Sequence, residues 1–487
     1  MEELSQCEKE LNALSDFLRA ETLAAASLKQ ALVLGRLYGR LHWDNISGFF
    51  SDDSLEAELF KRWQDELTRK PVRKNSPHRG WVHVLTRVYP AGGHTRLFRT
   101  LAAGLAKSGI PQTALLTQRS PKEAMAKLPP ELTQTEVLAG SASRRAQQIY
   151  SRCCQAEVVL LHNHPDDLGA ALAARALQEE GVRVLFVNHA DHVFSYGPGA
   201  CDAVLEICAT GWKTTAQRRK AKAQQFMGIP VVPREHSVPE KAGSRDGPIL
   251  SIGGGGKFLP NGDLSFPRFL EKLLPKISND VVLIGPSAKE DWWKPVQEKF
   301  PDRLHLMGVQ PFEVLKEQFE HASCYVDSFP LDGGTAFPEA VMAGLPAFAL
   351  NKDAAPGVSP TDALRQATME EVVESISKFL NGGEYPNDLK SVRQRILHDF
   401  SYEAVTERVL EAAKGRISDP PEYIMKLGNR SSDYNAWRWK AEGHCHIPKR
   451  IWRQLSPVCR VRLYQAISDL PLTQASMQTL KKRVLLG

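Results

Sequence analysis

Strand–helix alternation in two successive stretches predicts an α/β protein: two Rossmann-like domains facing a cleft, with a helical N-terminal and a basic C-terminal extension. Three observations predict it. Short apolar runs such as Val158–His162 and Val281–Ile284 alternate with helical patterns, which implies parallel sheets covered on both faces. The polar, turn-rich segment Arg234–Gly247 interrupts the series once and marks a boundary. The 487 residues suffice for two or three domains, each with its own core.

In chain order, residues 1–75 read as a helical extension. Leu11, Leu14, Phe17 and Leu18 recur at helical spacing, Leu32, Leu34, Leu37 and Leu41 more loosely, and a further helix runs over Leu55–Thr68. The basic stretch Lys70–Gly80 is a linker. Residues 76–235 form the first domain. Its strands are Trp81–Val88, Pro111–Thr117, Val158–His162, Val182–Asn188, Cys201–Ile207 and Ile229–Val232, with helices over Arg96–Lys107 and Leu168–Gly181. Residues 247–400 form the second, with strands Ile249–Ile252, Val281–Ile284, Leu304–Met307, Cys324–Val326 and Ala347–Leu350. Residues 401–487 open with a helix, Tyr402–Lys414, and continue as a basic, aromatic tail.

Composition narrows the class. Hydrophobic residues at 42% and charged residues at 24% are those of a soluble globular chain. No run of ~18 apolar residues exists, so no transmembrane helix is expected. The start, MEELSQCEKELNAL, is acidic and amphipathic, unlike a secretory signal. Eight cysteines without a C-x-x-C pair read as reduced thiols and a cytoplasmic location. His444–Cys445–His446 crowds three ligands into three residues, which cannot easily face one ion. The net charge of +6 is uneven: residues 420–487 hold twelve Lys/Arg against four Asp/Glu, which is +8 there and −2 elsewhere. Tyr434, Trp437, Trp439, Trp452 and Tyr464 interleave with those charges. Such a segment either binds an anionic surface, nucleic acid included, or packs its tryptophans on the body; packing is the expectation.

Chemistry concentrates in Tyr325–Leu350. A strand there delivers the turn Asp332–Gly333–Gly334–Thr335 to a short helix ended by Gly344–Leu345–Pro346. Free N–H groups and the helix dipole make an anion site, which Gly333 and Gly334 let a phosphate approach and to which Thr335 adds a hydroxyl. Glu339, about one turn on, is placed to accept from a ribose hydroxyl. Gly92 and Gly93 open a turn after the first strand, with Arg96 at the following helix start to meet an anion. Gly253–Gly256 is four glycines in a row, too costly in chain entropy to be filler, and Lys257 follows. His162–Asn163–His164–Pro165–Asp166 and His189–Ala190–Asp191–His192 put histidine and aspartate at strand ends facing the cleft. A His–Asp pair can deprotonate an acceptor hydroxyl, with aspartate orienting the imidazole. A zinc site from His162, His164, His189 and His192 is the competing reading.

The segment SFPLDGGTAFPEAVMAGLPAF resembles the nucleotide-sugar signature of GT-B glycosyltransferases. Asp327, the Asp332–Thr335 turn and Gly344–Leu345–Pro346 are similar to the O-GlcNAc transferase branch. Pro338–Glu339–Ala340 with Gly344–Leu345–Pro346 is similar to the glycogen-synthase-like retaining branch, whose second glutamate falls here at Leu331, beside Asp332. The likeness spans roughly Trp81–Lys414 as architecture. It implies a GT-B enzyme moving a sugar from a nucleoside diphosphate sugar, UDP-sugar favoured, to an acceptor hydroxyl, without metal or other cofactor. It implies that Gly92 and Gly93 form the GG loop, that Lys257 pairs with the diphosphate, and that Gly308 and Val309 present backbone to the nucleobase. Donor contacts are then Gly92, Gly93, Arg96, Lys257, Gly308, Val309, Asp332, Gly333, Gly334, Thr335 and Glu339; the catalytic candidates are His164, Asp166, His189, Asp191 and His192. The helix Tyr402–Lys414 would cross back to the first domain. The acceptor stays open among glycan, small molecule, protein and DNA, as does the oligomeric state. A DNA glycosyltransferase acting on a modified base, its basic tail tracking phosphates, is one alternative. A non-catalytic sugar-nucleotide binding module is the other.

Overall fold

A computed structural model describes residues 5–69, 80–90, 92–231, 245–351, 359–422, 424 and 445–487. Three helices come first: α1 (Gln6–Ala24), α2 (Leu28–Asn45) and α3 (Asp53–Gln64). Ser5, Ser27 and Asp52 cap them, each side-chain oxygen accepting an N–H of the first turn. The linker 70–79, most of the boundary 234–247, and Tyr434, Trp437, Trp439 and His444 lie outside the described residues.

The first sheet follows, built from β1 (Trp81–Leu85), α4 (Gly93–Lys107), β2 (Gln112–Leu116), α5 (Lys122–Met125), β3 (Leu132–Val137), α6 (Ala142–Cys153), β4 (Val158–His162), α7 (Leu168–Glu179), β5 (Arg183–Val187), β6 (Ala203–Glu206), α8 (Ala209–Arg218) and β7 (Gln224–Phe226). All its pairs are parallel, in the order β3-β2-β1-β4-β5-β6-β7. Trp81 lies opposite both Gln112 and Val158. Every residue of β1 and β4 is buried, as a strand covered on both faces requires.

Two departures from the sequence reading have physical causes. The strand β3 (LTQTEV) goes unseen because it is a polar edge strand, with none of its six residues fully buried. Of the expected strand Ile229–Val232, the described residues 229–231 are not a strand: Pro230 has no N–H for a ladder, and Val231 makes only an isolated bridge to Ser401. The seventh strand is Gln224–Phe226 instead.

The second sheet comprises β8 (Ile249–Ile252), α9 (Phe266–Leu273), β9 (Val281–Ile284), α10 (Lys294–Lys299), β10 (Leu304–Leu306), α11 (Phe312–His321), β11 (Cys324–Val326), α12 (Ala336–Met342), β12 (Ala347–Leu350), β13 (Arg365–Gln366), α13 (Met369–Leu380) and α14 (Leu389–Phe400). Its order is β10-β9-β8-β11-β12-β13, again parallel. In each sheet the order reverses beside the first strand, between β1 and β4 and between β8 and β11. A crevice opens at such a reversal, outside the C-terminal strand ends.

Helix α15 (Tyr402–Ala413) then returns to the first domain. Its Val405, Val409 and Ala412 share a core with Trp81, Leu97, Leu101 and Leu105. The described part of the tail ends in α16 (Pro457–Ala466) and α17 (Gln474–Leu486). Ile451, Trp452, Leu463, Leu480 and Val484 join Leu14, Leu37 and Leu172 in one core, so both extensions pack on the first domain. Glu10 accepts from Thr473 N and Ser476 Oγ, and Asn45 exchanges two hydrogen bonds with the His446 backbone. Trp452 is buried, its Nε1 donating to Pro448 O, so it is not available to stack on a base. All eight cysteines are buried and free. Among the described residues no helix is long and apolar enough to cross a membrane.

The docking of α15 depends on Gly104. A Cβ there would stand 2.1 Å from Thr406 Oγ1 and 3.4 Å from Tyr402 O. Gly104→Ala should therefore lower stability by about 1–3 kcal/mol in urea denaturation despite its gain in helix propensity. Thr406→Ala, which removes the clashing oxygen, should reduce that loss by at least half.

Candidate active site

The loop after β11 is organised by a buried carboxylate. Asp327 Oδ1 accepts from Ser328 N at 3.0 Å and from Gly333 N at 2.9 Å. Gly333 is therefore not the open N–H donor that the sequence suggests. A Cβ there would lie 2.6 Å from Asp327 Oδ1, so glycine is needed for the chain to close on the aspartate. Asp332 is committed too. Arg365 on β13, its side chain only 5% exposed, places Nη1 3.3 Å from Asp332 Oδ1 and Nη2 3.4 Å from Asp327 Oδ2. Helix α12 has just seven residues and no side-chain cap at Thr335, so the macrodipole argument made for it from sequence is weak. What faces open space is Gly334, at φ +66°. A Cβ added to it would meet only Lys257 Nζ, at 3.5 Å. Lys257 reaches this turn from the loop after β8 and donates to Asp332 O at 2.5 Å. At the end of β10, Gly308 has φ +64° and Val309 is 72% exposed, an apolar side chain standing at the rim.

Across the cleft stands α4. It begins at Gly93, three residues before the expected start, with no side-chain cap and nothing within 4 Å of a Cβ at Gly92 or Gly93. Its fifteen residues make it the long helix whose N-terminus is open here. Arg96, one turn in, forms an ion pair with Glu339 of α12 that spans the cleft. Leu259 and Leu331 pack against the buried pair Ile46 and Val193, as Trp43 and Ala190 also do, a second, apolar contact across it. Leu331 thus lies in an apolar seam at the position where the family likeness places a second glutamate.

The histidine loops end β4 and β5. His164 Nδ1 lies 2.5 Å from Asp166 Oδ1, and Arg36 Nε of α2 lies 2.9 Å from Asp166 Oδ2. Burial alone would raise the Asp166 carboxyl, but the His164 hydrogen bond and the Arg36 charge hold it well below the usual range. Trp43 packs edge-on against His164, centroids 4.0 Å apart. His192 Nδ1 lies 3.2 Å from Asp191 Oδ1, while Asp191 Oδ2 accepts from the Cys208 thiol at 2.8 Å. The structure therefore forms both predicted His–Asp pairs, each with a buried aspartate.

His189 is engaged differently. His162 Nδ1 meets His189 Nε2 at 2.9 Å, His162 Nε2 meets His83 Nδ1 at 3.0 Å, and His83 Nε2 meets Gln112 Oε1 at 2.8 Å. His94 packs against His189 with the rings tilted by 41°, centroids 4.3 Å apart. Of the four rings of the zinc reading, His162 and His189 bond each other while His164 and His192 each pair with an aspartate, and among the described residues no group of three or more His, Cys, Asp or Glu is placed to hold a metal ion. Sequence reasoning passed over His83, Gln112, Arg365, Arg36 and Trp43. Only His83 carried a local signal, a histidine at the centre of the buried strand WVHVL.

No protein-family model matches the sequence, and no curated protein matches it either. Solved structures do match. A mutant of TarM from S. aureus, in complex with fondaparinux, alpha-GlcNAc-glycerol and UDP, has a TM-score of 0.55 and 10% identity over 69% of this chain and 99% of that one. HepE from Anabaena in complex with UDP has a TM-score of 0.52 and 9% identity over 69% and 100%. A glycosyltransferase from Rickettsia africae has a TM-score of 0.52 and 13% identity over 72% and 100%. At these identities the likeness establishes a shared fold.

Two outcomes follow for stability. Arg365→Met should cost about 3–5 kcal/mol in chemical denaturation, because Asp327 and Asp332 lose the guanidinium between them. The second concerns acid. Burial depresses the proton affinities of five histidines, His42 to about 3, His83 to about 4, and His94, His162 and His189 in the same direction. Folded pKa values below the unfolded one mean that unfolding takes up protons, so this stability is complete above pH ~6.5 and is lost as pH falls. Glu206, raised by burial to about 7, and Glu56, also raised by burial, oppose this by holding protons in the fold. Five groups outweigh two, so the unfolding free energy should fall steadily from about pH 6.5 to 5, by about 1.4 kcal/mol per pH unit for each net proton, and the thermal midpoint should fall with it. A flat midpoint over that range would contradict the buried neutral rings.

Proposed function

We propose that this chain, which has the GT-B fold, is a glycosyltransferase that moves a sugar from a nucleoside diphosphate sugar, with UDP-sugar the favoured donor, to an acceptor hydroxyl. The observation that carries the reading is the convergence at one cleft of three features: the open N-terminus of α4 at Gly92 and Gly93, the Gly334 turn, and the Lys257 ammonium beside it. This arrangement suits a diphosphate. As the bond between the anomeric carbon and the diphosphate oxygen breaks, negative charge grows on the leaving group, and a helix N-terminus with a lysine offsets it without a metal ion. The UDP held by HepE and TarM supports this choice of donor.

The remaining roles follow from position. Val309 and the Gly308 backbone flank the base. Glu339 accepts from the ribose hydroxyls, and to do so it exchanges its Arg96 partner for them, which releases Arg96 toward the phosphates. On the acceptor side His164 carries the catalytic proton. Its Nδ1–H donates to Asp166, which leaves Nε2 bare to take the hydroxyl proton as the acceptor oxygen bonds the anomeric carbon. Asp166 orients and stabilises that ring, and Arg36 holds Asp166 ionised. His192 with Asp191 is a second such pair at the same edge.

The reading is tested by nucleotide binding. UDP should raise the thermal midpoint more than UMP does, and Lys257→Ala should weaken UDP binding at least about tenfold in a variant that still unfolds in one cooperative transition. Equal shifts for UMP and UDP would refute a diphosphate site. Glu339→Ala should raise the donor KM about tenfold with a smaller change in kcat, measured by UDP release, since the ribose contact is uniform binding.

A further inference from the structure

A single unbranched line of hydrogen bonds runs from the backbone of α4 through the first sheet to the cleft. Gln112 Nε2 donates to Ala102 O at 2.9 Å, and the line continues through His83 and His162 to His189. Its direction is fixed at the buried end. A backbone carbonyl only accepts, so Gln112 must turn its amide nitrogen to Ala102 and its Oε1 to His83. That oxygen also only accepts, so His83 carries its proton on Nε2. The rings are neutral, because burial lowers their proton affinities, and each therefore has one N–H. His83 Nδ1 must accept from His162 Nε2–H, and His162 Nδ1 from His189 Nε2–H. His189 is left with a bare Nδ1, which has no partner among the described residues. His94, tilted against it, is fixed the same way: Nε2–H donates to the His162 carbonyl at 2.8 Å, and Nδ1 is fully buried, bare and unpartnered, out of reach of the cleft.

We propose that Gln112, His83 and His162 form a tautomer lock, positioning residues that hold His189 with Nδ1 bare, so that His189 accepts a hydrogen bond from a hydroxyl of the donor's sugar. A bare lone pair repels a phosphate oxygen and matches a hydroxyl hydrogen. The identity of the ligand rests on the glycosyltransferase reading; the lock does not. Reversal of the line would set the Gln112 carbonyl against the Ala102 carbonyl, which is why the amide at its far end decides the ring at the cleft.

The lock is read directly by ¹⁵N NMR of the full chain labelled at histidine. His83, His162 and His189 should each show a protonated Nε2 and an unprotonated Nδ1. Gln112→Glu, whose neutral carboxyl can still donate to Ala102 and accept from His83, should keep that pattern. Gln112→Leu should give His189 a mixture of tautomers and lower kcat/KM for UDP-sugar about tenfold, with Gln112→Glu within about twofold of wild type. A UDP-sugar should move the Nδ1 signal of His189, and UDP alone should not. A wild-type His189 protonated on Nδ1, or a Gln112→Leu variant with tautomer and turnover unchanged, would overturn the lock. Equal shifts with UDP alone would overturn the sugar contact. If the lock is seen but no nucleotide sugar binds, the functional reading fails and the lock stands.

Discussion

A parallel strand can be reached only by a crossover, so every strand of each sheet sends its C-terminal end to the same edge. Where the strand order reverses, beside β1 and beside β8, consecutive crossovers leave on opposite faces and the edge between them stays uncovered. The four strands that flank the two reversals are β1, β4, β8 and β11. Their loops carry Gly92–Gly93, His164–Asp166, Lys257 and Gly333–Thr335. The cleft is thus a consequence of topology, and the chemistry sits in it because those loops have nowhere else to go.

Within that frame, buried polar groups decide which atoms remain available. Asp327 takes up the Gly333 N–H, and Arg365 takes up Asp327 and Asp332, so the glycine loop has one fixed shape. Leaving such groups unpaired in the interior would cost several kcal/mol, which is why the loop's own donors turn inward and the open charge comes from Lys257 and α4. The same rule shapes the histidines. In the line from Gln112 to His189, each ring nitrogen between the ends has its partner, and only nitrogens near the cleft are left bare. A line of hydrogen bonds that is satisfied everywhere but at one end directs its unused capacity to that end.

The extensions belong to the same argument. Helices α1 to α3 and the described tail share a core with α6 and α7, so they thicken the first domain. They also reach the site. Arg36 of α2 fixes Asp166, Trp43 of α2 packs on His164, and Ile46 touches the seam that Leu259 and Leu331 form across the cleft. The extension read as an appendage is therefore part of the wall that holds the proposed base.

Much of the fold was legible because its signals are local. Runs such as VVLLH and VVLI can only be buried strands in a chain that alternates with helices, and the glycine and histidine motifs stood directly after them. Where local signal failed, so did the reading: β3 is a polar edge strand, and Ile229–Val232 looked apolar but contains Pro230. The amphipathic helix α6, with Ala146, Ile149, Tyr150 and Cys153 buried on one face, was readable and was missed. Sequence by itself thus determined the two-domain class, the cleft and the loops that line it. Tertiary structure alone decided which donors in those loops are open, because Gly333 meets Asp327 six residues away, Arg365 comes from 33 and 38 residues further on, and Gln112, His83 and His162 meet only once three strands lie side by side. Such pairings depend on strand order and side-chain direction, which no short stretch of sequence encodes.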